Sequence, residues 1–211
     1  MTAAISTGPQ AADIIQAADK SFAELDSYSV TLRSSMVDGA GGGAGKETIR
    51  YFYKKPGFVR MEFETPHRGA VLVYNPVTRE VRLRPFGFLK PLVLTLSPHS
   101  SLIRSAHGHR VDESDIGTLL ANVHALAGLG SAVVIGQGRE AGGGDAVVVR
   151  VEGAEGREID GVHRYVLWFS GRTHLPSRVN AYGNGGRMLE EVVMDDMDTD
   201  PGLDVDFFTI R

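Results

Sequence analysis

Residues Arg50 to Leu83 read RYFYKKPGFVRMEFETPHRGAVLVYNPVTREVRL. Four short strands fit this stretch: Glu47 to Lys54, Phe58 to Glu64, Ala70 to Tyr74 and Arg79 to Arg84. Lys55-Pro56-Gly57 and Asn75-Pro76 carry the residues that make turns, and each falls between two strands. Strands this close together in sequence predict an antiparallel meander. Nothing in the stretch alternates strand with helix, so a parallel α/β sheet is not expected.

Upstream, Ala11, Ile14, Ile15, Ala18, Phe22 and Leu25 recur at spacings of three and four, predicting one amphipathic helix over about 10–26. The period then changes. Tyr28, Val30, Leu32 and Met36 alternate with polar residues, as in a strand with one wet face. The glycines from Gly39 to Gly45 are too many for a tight hairpin and predict a longer loop.

Downstream, the segment of about 85–109 has neither period. It holds Phe86, Phe88, Leu89, Leu92, Leu94 and Leu96, and such a long apolar loop is expected to act as a lid or binding segment. Asp112 looks like the N-cap of a second helix carrying Ile116, Leu119, Leu120 and Val123. Five strands follow: Ala132 to Gln137, Ala146 to Glu152, His163 to Phe169, Ser177 to Tyr182, and Arg187 to Asp195. The expected fold is mainly β (α+β): one curved antiparallel sheet forming an incomplete barrel, its concave face plugged by about two helices. With no repeat or composition break, residues 1–211 read as a single domain.

Composition narrows function by exclusion. The net charge is −4, which argues against a nucleic-acid partner, and the absence of cysteine removes disulfides and thiolate chemistry. Met1 to Gln10 lacks the basic start and apolar core of a secretory leader, and composition alone leaves the compartment open. His107 and His109 stand one residue apart, near His99 and His124, yet no acidic partner at ligand spacing completes a metal set. The acidic run Asp195 to Asp200 lacks the central Gly and closing Glu of an EF-hand loop. The run Gly39 to Lys46 lacks the ordered phosphate-loop pattern. No Gly-x-Ser-x-Gly elbow is present. No metal, no cofactor and no reaction are expected, and a hydrolase would need a cleft of coupled ionisable groups that the sequence does not announce.

Several of these features together resemble the LolA family of lipoprotein-sorting proteins, and a LolA-like group nearer still through His109 to Leu120. They are Lys55-Pro56, Phe58 to Phe63, Pro66 and Tyr74-Asn75-Pro76, then Leu175-Pro176-Ser177, Tyr182 with Gly185, Leu189-Glu190-Glu191 and Asp206-Phe207-Phe208. The likeness runs in order from Tyr28 to Phe208. It implies a half-barrel with helices on its concave side, a cavity for acyl chains, and a periplasmic, non-enzymatic, monomeric carrier. A lipid or a lipoprotein acyl chain would be the partner, with an inner- or outer-membrane protein as a further one. An envelope-stress or assembly module that binds a protein partner on the same fold is the alternative.

The implied lining is one strand face: Tyr51, Tyr53, Val59, Met61, Phe63, Val71, Val73, Val81 and Leu83. Periodicity does not say which face is concave, and a slip of one residue exchanges the sets, turning Phe52 and Phe58 inward. Lys55 stands where the family carries an Arg linked to the lipid-free state and to release, and Met61 where it carries Trp. Lysine lacks the planar fork of arginine, so as a release clasp it is a poor substitute.

Overall fold

The computed structural model describes residues 10–36, 45–86, 92–103 and 110–210. Eleven strands form one antiparallel sheet: β1 (Ser27–Met36), β2 (Gly45–Lys54), β3 (Phe58–Thr65), β4 (Val71–Asn75), β5 (Glu80–Arg84), β6 (Leu94–Leu96), β7 (Gly130–Arg139), β8 (Asp145–Gly153), β9 (Arg164–Ser170), β10 (Pro176–Tyr182) and β11 (Met188–Asp198). Their spatial order is β6-β5-β4-β3-β2-β1-β11-β10-β9-β8-β7. Two meanders are therefore joined by a single long-range pair, β1 with β11, and β6 and β7 remain as edges. The sheet is open and curved, as a half-barrel is.

Two helices lie on one face of this sheet. Helix α1 (Ala11–Glu24) buries Ala11, Ile15 and Ala18, and Ile14, Phe22 and Leu25 complete its apolar stripe. Helix α2 (Ile116–Gly128) buries Ile116, Leu120, Val123 and Leu126. Its N-cap is Asp115, not Asp112: the Asp115 carboxylate accepts from the Gly117 and Thr118 amides at 2.8 and 3.2 Å. Asp112 instead sits in a short 3-10 turn, Val111–Glu113, ion-paired with Arg110. Gly117 lets the helices approach each other, since a Cβ there would meet the Phe22 ring at 2.5 Å. Helix α2 bears chiefly on β7 and β8, and α1 on α2 and β7.

The opposite face of the first meander carries a second, smaller core. Phe52, Phe58, Val71 and Val73 are covered by the C-terminal segment through Phe208 and Ile210. Arg60 holds that segment, donating to the backbone oxygens of Phe207 and Thr209 at 3.0 and 3.3 Å while its guanidinium lies 4.8 Å from the Phe207 ring centroid. Burial of both faces of β4 follows.

Phe208 is 2% exposed, and Phe86 is 50% exposed. Replacing Phe208 with Ala should therefore cost about 3–5 kcal/mol, as emptied aromatic sites do, while Phe86→Ala should stay within about 0.5 kcal/mol. Urea denaturation of both variants checks this. Equal midpoints would mean that the C-terminal segment does not contribute to the cooperative unit.

Candidate functional site

Register turns the inner, helix-covered face into rows. Tyr28, Tyr53, Val59, Tyr74, Val81 and Leu96 oppose one another across six strands. Val30, Tyr51, Met61, Leu72, Leu83 and Leu94 form the next row, and Leu32, Ile49 and Phe63 the third. The first row is buried at every position but Leu96. Away from it the face opens: Leu32, Met61, Phe63 and Leu83 are only half-buried.

Seven of the sequence-expected lining residues share this face: Tyr51, Tyr53, Val59, Met61, Phe63, Val81 and Leu83. Val71 and Val73 do not. They pack outward against Phe208 and Ile210, and Leu72 and Tyr74 take the inner positions of β4. The cause is a strand apolar at every position from Val71 to Tyr74, all four buried, which gives no period to read.

The segment of about 85–109 is not loop throughout. Leu94 and Leu96 lie in β6, opposite Leu83 and Val81, with their side chains half-buried on the inner side of the edge. Phe86 and Leu92 are exposed, and Phe86 stacks on His67 at 4.9 Å between ring centroids. Phe88 and Leu89 lie outside the described residues, as do His107 and His109. A 3-10 turn, Ser101–Ile103, follows β6 and exposes Leu102.

Lys55 clasps the sheet to α1. Its ammonium donates to the Ala23 carbonyl, 2.6 Å away in the last turn of the helix, and lies 5.8 Å from the Phe22 ring centroid. A cation satisfying a C-terminal carbonyl also meets the negative end of the helix dipole. Beside it Lys54 pairs with Asp26, so the β2–β3 turn grips the α1–β1 junction with two ammonium groups.

Beneath the start of α2 lies a stack of tyrosines. Tyr28 is 5.9 Å from Tyr51 and 5.1 Å from Tyr53, centroid to centroid. The Ile116 amide donates to the Tyr28 hydroxyl at 3.2 Å, and the Tyr51 hydroxyl meets Ser114 Oγ at 3.2 Å. These tips satisfy polar groups at the helix entry that burial would otherwise orphan. Burial pushes Tyr53 up to about 12, with the Asp115 carboxylate adding to it, and pushes Tyr28 and Tyr51 well above the ordinary phenol range. Tyr165, on the inner face of β9, is raised to about 12, also chiefly by burial.

Several other ionisable groups form pairs. His124 lies 2.6 Å from Asp19 across the two helices, and Asp195 pairs with Arg33. Among the described residues no group of three His, Asp or Glu side chains is placed to hold a metal ion. No described helix is long and apolar enough to cross a membrane.

No protein-family model matches the chain, and no curated protein does. Solved structures do. An uncharacterised conserved protein from Thermus thermophilus superposes at a TM-score of 0.55, with 12% identity over 95% of this chain and 94% of that one. The MucA/MucB complex of Pseudomonas aeruginosa gives 0.52, with 16% identity over 95% of this chain and 61% of that one, so this chain spans about three fifths of its length. A LolA superfamily protein from Nitrosomonas europaea gives 0.44, with 15% identity over 96% and 99%. At such identities the likeness is one of fold alone, the open half-barrel that this chain shares with the Thermus protein and with the MucA/MucB complex.

The tyrosine stack makes stability depend on pH. Each raised phenol holds its proton more tightly folded than unfolded, so its contribution is complete below pH about 10 and is lost as pH climbs toward 12. Absorbance titration at 295 nm should show Tyr53 and Tyr165 ionising together with alkaline unfolding. Reversible ionisation of every tyrosine near pH 10 in a chain still folded by circular dichroism would contradict the buried stack.

Proposed function

We propose that the protein is a periplasmic, non-enzymatic carrier that holds a lipid or lipoprotein acyl chain against the inner face of its half-barrel. The observation that carries this reading is the set of inner-face apolar residues left half-covered, drawn from all three rows: Leu32, Met61, Phe63, Leu83 and Leu96. Helix α2 bears chiefly on β7 and β8, and α1 on α2 and β7, so the inner face of the first meander is the part with apolar surface to spare. An acyl chain leaving water gains about 0.8 kcal/mol per buried methylene, which needs no special chemistry from the protein. On this reading Tyr51, Tyr53, Val59 and Val81 form the packed floor. Met61, Phe63 and Leu83 touch the chain, with Leu72 taking the place expected for Val71 and Val73. Phe86, Leu92, Leu94 and Leu96 border the entrance.

Lys55 has a place in the same reading. By tying α1 to the β2–β3 turn it fixes how far the helices stand from the first meander, and its loosening would widen the groove. A single donor to one carbonyl is a weaker latch than a guanidinium fork.

A second reading is a module whose groove takes a segment of a partner protein, in envelope-stress sensing or assembly. The likeness to the MucA/MucB complex, at a TM-score of 0.52, favours it.

Native mass spectrometry of the purified protein, followed by lipid extraction, separates the two. The carrier reading expects a co-purifying acyl species that is lost in Met61→Asp and Phe63→Asp but kept in Val133→Asp, a residue 39% exposed on the edge strand β7. A mass that stays at the bare polypeptide after incubation with phospholipid and lipopeptide would sink it in favour of the protein-binding module.

A further inference from the structure

At the end of the β3–β4 hairpin, on the outer side of the sheet, lies a cleft of about 850 Å³. Its charged lining is Arg50, Arg68 and Arg84 with Glu62 and Glu64, and Phe63, Val71 and the Gly69 backbone complete it. Strand alternation assembles it: Arg50, Glu62, Val71 and Arg84 oppose one another in a single outward row across β2 to β5. Arg68 is delivered by the turn between β3 and β4.

The charges do not cancel. Glu62 is shared by two guanidiniums, Arg60 at 2.8 Å and Arg50 at 3.3 Å, so its acceptors are engaged. Arg68 and Arg84 make no ion pair among the described residues. The cleft is lined by three guanidiniums and two carboxylates, and one of those carboxylates is already held by Arg60 from outside it, in a chain whose net charge is −4. Like charges gathered against the sign of the whole molecule cost repulsion unless an anion relieves it.

Phe63 connects this cleft to the groove. It lines the cleft and also packs with the inner apolar cluster. An amphiphile whose chain lies along Met61 and Phe63 would bring its polar end to the arginines.

We propose that the Arg50–Arg68–Arg84 cleft is a phosphoryl-binding site, and that the carrier's cargo is an anionic phospholipid whose headgroup phosphate it holds. Guanidinium forks match phosphate oxygens two at a time, and an exposed phosphoryl group with two negative charges answers the local excess. The cargo class rests on the acyl-binding reading given above. The phosphate site does not, because free phosphate would satisfy the same arginines.

Calorimetric titration with three probes separates these sources: short-chain phosphatidate, the diacylglycerol of identical chains, and inorganic phosphate. The wild type should bind phosphatidate at least about tenfold more tightly than diacylglycerol, with the excess weakening as salt rises. Arg68→Gln with Arg84→Gln should bring phosphatidate down to the diacylglycerol level and leave diacylglycerol unchanged. Both arginines are on the surface row or turn, away from the inner core, so the double variant should fold. Circular dichroism and its urea midpoint check that.

Equal binding of the two lipids by the wild type overturns the proposal and leaves the acyl reading standing. Binding of inorganic phosphate, lost in the double variant, with neither lipid bound, supports the phosphoryl site and removes the acyl reading. Phosphatidate affinity undiminished in a folded double variant also overturns the proposal.

Discussion

The pairing of β1 with β11 is the constraint on which the molecule depends. Every other strand pairs with a neighbour in sequence, whereas this pair brings Leu32 beside Met194 and Ser35 beside Glu191 from opposite ends of the chain. Closing so long a loop is entropically expensive and is repaid only when the second meander is in place. Once the pair forms, β6 and β7 are driven to opposite edges of one sheet. The chain between them must then cross the full width of the inner face, and α2 is the element that makes the crossing. Helix α1 enters from the other end of β1 and fills the space beside it. The helices thus sit where connectivity sends them, α2 over β7 and β8 and α1 against α2 and β7, and part of the first meander is left half-covered.

At the entry to α2 two needs are met by the same atoms. Helix starts leave amides without partners, and the inner face there is apolar. Asp115 takes the Gly117 and Thr118 amides, and the Tyr28 hydroxyl takes that of Ile116. The tyrosines supply large apolar area to the sheet and a polar tip to the helix, which neither leucine nor serine would do. Burial that disfavours their phenolates is the mark of that fit. It places the fully buried part of the inner face under α2, and the half-buried part near Met61 and Phe63.

Where the sequence was legible, a single period was present. Alternation along β1 and β3, the three-and-four spacing of α1, and the turn residues at Lys55-Pro56-Gly57 and Asn75-Pro76 each point one way, and the strands, the helix and the turns lie there. Asn75 even shows the mechanism, its side-chain oxygen accepting from the Val77 amide at 2.9 Å. Legibility fails where two faces are buried at once. Val71 to Tyr74 carry no alternation because Phe208 and Ile210 cover the outer side, and nothing local announces a cover that arrives from the far end of the chain. Strand β6 fails for another reason. Leu94–Leu96 is three residues long, too short to show a period, and register against β5 alone makes it a strand. The mistaken cap has the same local character: Asp112 and Asp115 both precede an apolar run, and it is Asp115 that takes the Gly117 and Thr118 amides while the Tyr28 hydroxyl takes that of Ile116.

The arginine cleft was invisible for a complementary reason. In β2, β3 and β5 the charged residues alternating with the inner rows include Arg50, Arg60, Glu62, Arg82 and Arg84, which in isolation read as an ordinary wet face. Register gathers them, placing Glu62 across from Arg50 on one side and Val71 across from Arg84 on the other. Because the period of a strand is two, the same three strands that turn Met61, Phe63 and Leu83 inward must turn their charges outward. The half-covered apolar face and the cationic cleft are therefore two sides of one pattern, meeting at Phe63 near the end of β3. Moving the register of β3 by one residue would bury Glu62 and expose Met61, abolishing both together. An amphiphile with an anionic end is the ligand whose own division matches that of the sheet.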